Sequence, residues 1–473
     1  MGLIQIAASI LTSILVGALT RGAQRTYFLL ALSALAVYWF QPALPLRSFD
    51  FWLPSLSLAL VTLTWFVTSP PGAWKARQNL AGLLIIAGVV TFVDLSRYIF
   101  PEPVLTGTPT PPFLQYIIFL ASIILFSVIF AFLTRRASSL STLLLSILLL
   151  SILIILKSPQ LSLQASIFFR ALTDRPTATA SALDLRWLGF SYIAFRLIHT
   201  LRDKQTGRLP ELSLPEFATY VVFFPSLAAG PIDRAERFAK DLRAGFALTS
   251  TEALSAGQRL VVGLFKKFVI ADALALIALN DSLAAQVHSS GWMWLHLYAY
   301  TFQIYFDFSG YTDIAIGIAR LAGIKLPENF LAPYAKPNLT QFWNAWHMTL
   351  TQWIRAYFFN PFNRWIRGYK SLPAWAMLLI GQLATMLLIA LWHGITWNFV
   401  LWGAWHGLGL FLQNRWSDFA KTRIPAANPR LQTALQVGGV LLTFHFVALG
   451  WVFFALSEPH LSAQVFSKLF GFG

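Results

Sequence analysis

Apolar runs long enough to cross a membrane follow one another along almost the whole chain. A helix needs about 20 apolar residues to span roughly 30 Å of hydrocarbon, where lipid cannot satisfy irregular backbone. Such runs lie near 3–20, 27–44, 51–69, 79–100, 113–133, 139–156, 187–201, 216–231, 253–279, 292–322, 374–392, 396–413 and 432–456. The sequence therefore predicts an all-α polytopic membrane protein with about 10–13 membrane helices, including re-entrant segments.

Composition agrees with this class and excludes several kinds of chemistry. Hydrophobic residues make up 57% and charged residues 11% of the 473 residues, against about 25% charged in soluble domains. The chain has no cysteine, so disulfides, thiol nucleophiles and thiolate metal sites are excluded, and we expect no metal site. The net charge of +16 is dispersed between apolar runs, which is typical of loops facing anionic lipid and not of nucleic-acid binding.

Basic residues also predict the orientation and the organisation of the chain. Three alternate early loops carry Arg21 and Arg25, Lys75 and Arg77, and Arg135 and Arg136, whereas loop 101–112 carries no basic residue. By the positive-inside rule those three loops are cytoplasmic and the N-terminus is outside. Hydropathy is interrupted from 157 to 215, so we predict a hydrophobic helical scaffold (1–156) and a functional core (157–473) within one integrated membrane domain.

Two histidines enter strongly apolar surroundings between residues 337 and 407. His347 lies on a Trp-rich amphipathic segment, and His393 ends an apolar run. Ionisable groups are costly inside a bilayer, so both are functional candidates. Gly394 is a helix stop and Thr396 a helix start, so two apolar segments meet there without a polar loop. Lipid cannot satisfy the hydrogen bonds of such a turn, so its backbone has to be buried in protein or line a water-filled cavity. The sequence therefore predicts a cavity at His393.

Two further segments combine polar groups with apolar surroundings. Pro225 and the Gly230-Pro231 pair predict irregular backbone beside Arg234 and Arg237, either an anion-contacting rim or an ordinary helix-ending loop. Asp307 and Asp313 lie among aromatic residues, where they either make structural hydrogen bonds with Arg320 and tyrosines or orient an imidazole. Gly310 and Gly317 predict close helix contacts on the same helix.

Four segments resemble the membrane-bound O-acyltransferases: FFPSLAAGPI, FQIYFDFSGYTDIAIGIARLAGIKLPENFLAPY, QFWNAWHMTLTQWIRAYFFNPF and LWHGITWNFVLWGAWHG, with LLTFHFVALGWVFFA also similar. The resemblance covers most of residues 185–456. It is strongest to the bacterial acyl-export branch, which includes alginate O-acetylation and teichoic-acid D-alanylation proteins. Ala345 and Ala356 depart from the family, which often has Arg and Asp at these places.

The resemblance implies a helical fold with a central funnel or tunnel in the bacterial cytoplasmic (inner) membrane. It also implies transfer of an acyl group, acetyl or another small acyl, from a thioester donor to a hydroxyl. His393 maps to the catalytic histidine and His347 to a second functional histidine. The donor is acyl-CoA or an acylated carrier protein on the cytoplasmic side, with no cofactor bound. The acceptor is an extracytoplasmic polysaccharide, a cell-wall polymer or a partner protein, such as a partner acyltransferase.

The residue types fit that chemistry. A hydroxyl that attacks a thioester has to lose its proton, and an imidazole such as that of His393 is suited to this general-base role. The candidates for orienting the imidazole or stabilising the oxyanion are Trp392, Trp397, Asn398, His406 and Asp307. His347 either holds the thioester carbonyl or relays the proton.

Cations of the basic cytoplasmic loops are candidates for donor docking. Lys204, Arg208, Arg234 and Arg237 are predicted to hold the phosphate of a pantetheine group or an acidic carrier protein. The alternative function is a polytopic transporter or flippase of a lipid-linked or acyl substrate. Such a protein is expected to show paired broken helices in two corresponding halves, and the sequence shows no internal repeat of that kind.

Overall fold

The computed structural model describes residues 2–134, 138–369, 371–423 and 429–472, and every regular element within these ranges is helical. The predicted all-α fold is therefore confirmed. The α-helices are α1 Leu3–Leu19, α2 Gly22–Trp39, α3 Phe49–Thr68, α4 Arg77–Ile99, α5 Phe113–Thr134, α6 Ser138–Lys157, α7 Pro159–Leu172, α8 Phe190–Gln205, α9 Leu214–Val222, α10 Ala235–Arg243, α11 Ser250–Phe265, α12 Asp272–Ala275, α13 Asp281–Gln286, α14 Ser290–Leu321, α15 Leu339–Trp343, α16 Met348–Ile354, α17 Asn360–Ile366, α18 Ala374–His393, α19 Trp397–Arg423, α20 Pro429–Ala455 and α21 Pro459–Leu469.

Several short segments have other helical geometries. The 3₁₀ turns are Ala73–Lys75, Thr177–Thr179, Ala182–Leu185, Phe224–Ser226 and Pro333–Ala335. Two π-helical segments, Lys266–Ala271 and Arg355–Phe359, continue α11 and α16. Arg135 and Arg136, which the sequence places in a cytoplasmic loop, lie outside the described residues.

Apolar helices of membrane-spanning length make this a multi-pass membrane protein. In the described part of the chain, five helical stretches are long and apolar enough to cross a membrane: Phe49–Thr68, Arg77–Ile99, Ser139–Lys157, Ala374–His393 and Pro429–Ala455. Leu3–Leu19 and Phe113–Ser127 are shorter apolar helices. The predicted runs at 187–201, 216–231 and 253–279 correspond to the shorter or interrupted helices α8, α9 and α11.

The chain folds into two compact units. The first unit comprises Met1–Leu260 and Ile314–Pro327, and the second comprises Val261–Asp313 and Glu328–Gly473. The division at residue 156 that the sequence suggested remains a prediction. In the first unit, α2 packs against α4 and α9, and α3 packs against α8 and α9.

A buried arginine holds the irregular backbone that follows α9 in the first unit. Arg196 is 1% exposed and donates to the carbonyl oxygens of Val221 (2.7 Å) and Ser226 (2.9 Å). These bonds hold the interruption after α9 that the sequence predicted from Pro225. A Cβ on Gly230 would lie 2.4 Å from Ser226 Cα, so the chain passes too close to itself there for a larger residue. The predicted break at Pro225–Pro231 is confirmed.

The second unit is built on the α18–α19 hairpin, with α20 packed against α19. Small residues let the two arms of the hairpin approach. A Cβ on Gly403 would lie 2.9 Å from Ala390 Cβ, and one on Gly407 would lie 2.9 Å from the side chain of Leu383. This close approach fixes the end of α18 relative to the start of α19.

Candidate active site

His393 lies at the junction of α18 and α19. Helix α18 ends at His393, Gly394 is extended, and the amide of Val400 donates to the carbonyl oxygen of Thr396 (3.1 Å) in the first turn of α19. The helix stop and start predicted from Gly394 and Thr396 are confirmed. A Cβ at position 394 would lie 2.8 Å from the ring of Phe399, which explains why glycine is needed here.

Aromatic rings surround the half-buried imidazole of His393. Its centroid lies 4.5 Å from that of Trp392, 4.8 Å from Phe454, 5.8 Å from Trp402 and 5.9 Å from Phe399. Rings of this kind exclude water from the imidazole. The arrangement suits a group that exchanges a proton with a bound substrate.

His347 approaches the same tryptophan from another segment. Its side chain is 3% exposed, and its ring lies 4.7 Å from that of Phe308 and 6.2 Å from that of Trp392. Its backbone is left-handed (φ 42°, ψ 52°) and it caps α16. A histidine in this conformation is uncommon and is held by its surroundings. The structure therefore brings both predicted histidines to Trp392.

One polar residue at this site was not singled out from the sequence. Asn329 is fully buried, and its Oδ1 lies 3.2 Å from His347 Nδ1. Its sequence signal is its place within the segment KLPENFLAPY, which carries part of the family resemblance.

The other predicted orienting residues take different positions. Asn398 is buried and donates from Nδ2 to the carbonyl oxygen of Leu456 (2.7 Å), which ties α19 to the end of α20. His406 is buried beside Trp343 and Trp402, with ring centroids 5.3 and 4.9 Å away. Trp397 is 74% exposed. Of these predicted residues, Trp392 has ring contacts with both site histidines.

The aspartates of α14 pair with lysines. Asp307 forms an ion pair with Lys267, and Asp313 forms one with Lys266 (2.7 Å), both lysines lying on the π-helical segment. The sequence named Arg320 and tyrosine hydroxyls as available donors, and these two ion pairs add lysines to them. A Cβ on Gly310 would lie 2.8 Å from the carbonyl oxygen of Gly263, which confirms the predicted close contact at this glycine. An imidazole-orienting role for Asp307 remains a prediction.

The four donor-docking candidates belong to the first unit and differ in how they are engaged. Lys204 and Arg234 are exposed, and Arg208 pairs with Asp203 at 3.3 Å. Arg237 forms an ion pair with the buried Asp233 and donates to the carbonyl oxygen of Lys325. Burial raises the pKa of Asp233 to about 6, against the opposing effect of the Arg237 charge. Arg237 is therefore committed to Asp233.

A cavity of about 590 Å³ lies in the second unit at the opposite end of α18 from His393. Polar residues of α17 contribute to its lining together with the first turns of α18: Asn360, Asn363, Arg364 and Ala374. Since α18 has 20 residues, its ends are about 30 Å apart. The cavity predicted at His393, and the funnel or tunnel, remain predictions.

Comparison with known proteins places most of the chain in one family. Residues 126–456 match the family model described as MBOAT, membrane-bound O-acyltransferase family. The chain is 34% identical over 294 residues to a probable alginate O-acetylase from Pseudomonas putida, covering 60% of this chain and 56% of that protein. It is 31% identical over 280 residues to a teichoic acid D-alanyltransferase from Bacillus subtilis, covering 58% and 70%.

A third relative is also named as an O-acetyltransferase. The chain is 34% identical over 258 residues to a peptidoglycan O-acetyltransferase from Helicobacter pylori, covering 54% of this chain and 46% of that protein. The matches thus span about half the length of the alginate and peptidoglycan relatives. The family match includes both histidines, Trp392 and Asn329. The chain belongs to the membrane-bound O-acyltransferase family.

Proposed function

We propose that this protein is an O-acyltransferase of the bacterial cytoplasmic membrane. It moves a small acyl group, acetyl or similar, from a cytoplasmic thioester donor to a hydroxyl of an extracytoplasmic polysaccharide, cell-wall polymer or partner protein. The observation that carries the proposal is the placement of His393 and His347 beside Trp392 within the family-matched region. The relatives' names refer to O-acetylation of alginate and peptidoglycan and to D-alanylation of teichoic acid, which supports a hydroxyl acceptor.

The proposed reaction is a direct transfer. The hydroxyl oxygen attacks the thioester carbonyl carbon while His393 takes the hydroxyl proton. The C–S bond then breaks, and the thiolate receives that proton and leaves as a thiol. General-base catalysis of this kind contributes about 10²–10⁴-fold. The ring of Phe454 and the other aromatic groups around His393 exclude water that would otherwise hydrolyse the thioester.

The decisive experiment replaces the base. We expect purified His393→Ala protein to lose about 10²–10⁴-fold in the rate of acyl transfer while remaining folded. The assay follows radiolabelled acetyl from acetyl-CoA, and in parallel from an acetylated carrier protein, to a polysaccharide hydroxyl. His445→Ala is the matched control, because His445 is another half-buried histidine of the second unit and bonds to Tyr298 (2.9 Å). A His393→Ala rate above about a tenth of wild type would exclude the base assignment.

Donor docking is tested on the exposed cations of the first unit. Lys204 and Arg234 are exposed, whereas Arg237 is held by Asp233, so the first two are the better positions for charge reversal. We expect Lys204→Glu with Arg234→Glu to weaken donor use at low salt. The effect should fade at about 1 M salt, where charges more than about 3 Å apart are screened. Unchanged donor kinetics at low salt would remove these loops from the mechanism.

The direction of transfer has its own test. In sealed vesicles of known orientation, the donor should be used only from the cytoplasmic face, because a thioester on a large polar carrier cannot cross roughly 30 Å of hydrocarbon. Donor use from the external face would overturn the direction. Transport of an acyl substrate without any transfer to a hydroxyl would favour the transporter alternative.

A further inference from the structure

The side chain of Asn329 accepts hydrogen bonds from two residues that flank the start of α16. Its Oδ1 lies 3.2 Å from Nδ1 of His347, 3.1 Å from the backbone N of Thr349 and 2.9 Å from Thr349 Oγ1. Asn329 is 0% exposed, and both partners are also buried. The side chain is therefore fixed on three sides within the protein.

The Thr349 amide identifies the atom that faces His347. A backbone N–H can only donate, so the side-chain atom of Asn329 that it contacts has to be the oxygen and not the amide nitrogen. An amide oxygen only accepts, so Nδ1 of His347 has to carry a hydrogen in order to bond to it. A neutral imidazole carries one such hydrogen. Nε2 of His347 is then left with a lone pair and without a proton.

Backbone hydrogen bonds also hold the segments of Asn329 and His347 together. The amide of Met348 donates to the carbonyl oxygen of Asn329 (2.9 Å), and the amide of Leu331 donates to that of Ala345 (3.0 Å). These bonds hold His347 in its left-handed conformation. Nε2 is buried and has no hydrogen-bond partner among the residues that the structure describes. A buried acceptor without a partner is costly unless a ligand or water completes it.

We propose that Asn329 is a positioning residue that keeps His347 in the Nδ1–H tautomer, so that Nε2 accepts a hydrogen bond from an O–H or N–H group of the acyl acceptor other than the attacking hydroxyl, whose single proton goes to His393. This inference rests on the proposed acyl-transfer function. It separates the two roles that the sequence left open for His347. Holding the thioester carbonyl requires an N–H on Nε2, whereas orienting a hydroxyl or receiving its proton requires the lone pair. Asn329 leaves Nε2 as an acceptor, which excludes the carbonyl-holding role.

The first test reads the tautomer directly and does not depend on activity. Nitrogen NMR of protein labelled at histidine, in lipid, distinguishes protonated from bare ring nitrogens. The His347 signal is identified among the eight histidines by its loss in His347→Gln. We expect wild-type His347 to show a protonated Nδ1 and a bare Nε2. Thr349→Val is the matched control, since it removes one bond to the same oxygen and leaves the His347 contact, so its signal should not change. A protonated Nε2 with a bare Nδ1 in wild type would overturn the proposal.

The second test is kinetic and includes rescue. Losing an orienting partner of a functional histidine typically costs about 10–100-fold, so we expect that fall in kcat for Asn329→Ala and less than about threefold for Thr349→Val. Asn329→Asp keeps an acceptor for Nδ1 and should recover most of the rate. Because its carboxylate favours the protonated imidazole, the acid limb of its kcat/KM profile should move to higher pH. Equal rates for Asn329→Ala and Thr349→Val, or an unmoved acid limb in Asn329→Asp, would count against the positioning role.

Failure of this proposal and of the proposed function give different results. If wild-type protein transfers no acyl group, the function fails, and the NMR measurement still tests the tautomer. If wild type transfers acyl groups and His347 carries its proton on Nε2, the function stands and only the role of Asn329 is rejected. A folding defect in Asn329→Ala leaves the wild-type spectrum and Asn329→Asp as tests.

Discussion

Replacing Gly403 with alanine tests whether the spacing of α18 and α19 sets the position of His393. A Cβ on Gly403 would lie 2.9 Å from Ala390 Cβ and 3.0 Å from both Leu387 Cα and the carbonyl oxygen of Met386, whereas ordinary contacts are 3.4–4 Å. Two of these three atoms belong to the backbone of α18, so no side-chain rotation relieves the contact. The helices have to separate by roughly half an ångström, and Ala390 is one turn before His393.

The magnitude follows from two opposing effects. Overpacking of a closely packed contact costs about 1–3 kcal/mol, and replacing glycine by alanine inside a helix gains about 1 kcal/mol. We therefore expect Gly403→Ala to lower the free energy of unfolding by about 1 kcal/mol. A displacement of 1 Å costs about 100-fold in rate, so half of that distance should lower kcat by about tenfold.

Thermal unfolding in detergent, followed by tryptophan fluorescence, and initial rates of acyl transfer measure the two effects. Gly438→Ala in α20 is the matched control, because a Cβ there meets no atom within 4 Å. That variant should gain about 1 kcal/mol from helix propensity and keep its activity. If Gly403→Ala were as stable as Gly438→Ala and fully active, the close contact would not position His393.

Two further predictions concern stability. Gly439→Ala, one residue after the control position, places a Cβ 2.5 Å from the carbonyl oxygen of Pro337, so its unfolding temperature should fall below that of Gly438→Ala, and equal temperatures would refute the contact. Burial raises the pKa of Glu216, but hydrogen bonds from Arg243 and the backbone outweigh burial and hold the pKa below its ordinary 4.5. The ionised carboxylate thus adds stability that is present above pH 4.5 and lost as pH falls through the folded-state pKa. Wild type should exceed Glu216→Gln by about 1 kcal/mol or less at pH 7, and thermal unfolding across the acid range should show this difference shrinking, a result that a constant difference would contradict.

The sequence predicted helix ends correctly where a single residue determines the local backbone conformation. Gly394 and Thr396 predicted the break between α18 and α19, and Pro225 predicted the end of α9, because glycine, capping residues and proline act on their own neighbourhood. Gly310 predicted a close helix contact, and a Cβ there would indeed collide with the backbone of Gly263. The all-α fold and these helix interruptions could therefore be predicted from the sequence.

Contacts between side chains that are distant in the sequence could not be predicted from local signals. Asn329 and His347 are 18 residues apart, and α15 and irregular backbone lie between them, so no helical period relates the two side chains. The lysine partners of the α14 aspartates lie 40 and 47 residues away on a π-helical segment. Apolar residues occur on several faces of the first turns of α19, so the sequence pattern did not show which face is buried. It therefore did not indicate that Asn398 would be buried and Trp397 exposed. Tertiary packing decided each of these cases.

His393 lies at the C-terminal end of a helix and His347 at the N-terminal end of another. This difference assigns a separate role to each imidazole in the proposed reaction. His393 is the last residue of α18, where the partial negative charge of the helix end favours a cation by about 0.3–1 kcal/mol. His347 precedes the first turn of α16, where the partial positive charge opposes a second positive charge, and Asn329 leaves its Nε2 as a bare acceptor. The group that carries the proton in the transition state should be the one whose surroundings favour the cation. In the proposed reaction, His393 therefore takes the proton of the attacking hydroxyl, while Nε2 of His347 accepts a hydrogen bond from another group of the acceptor and stays uncharged.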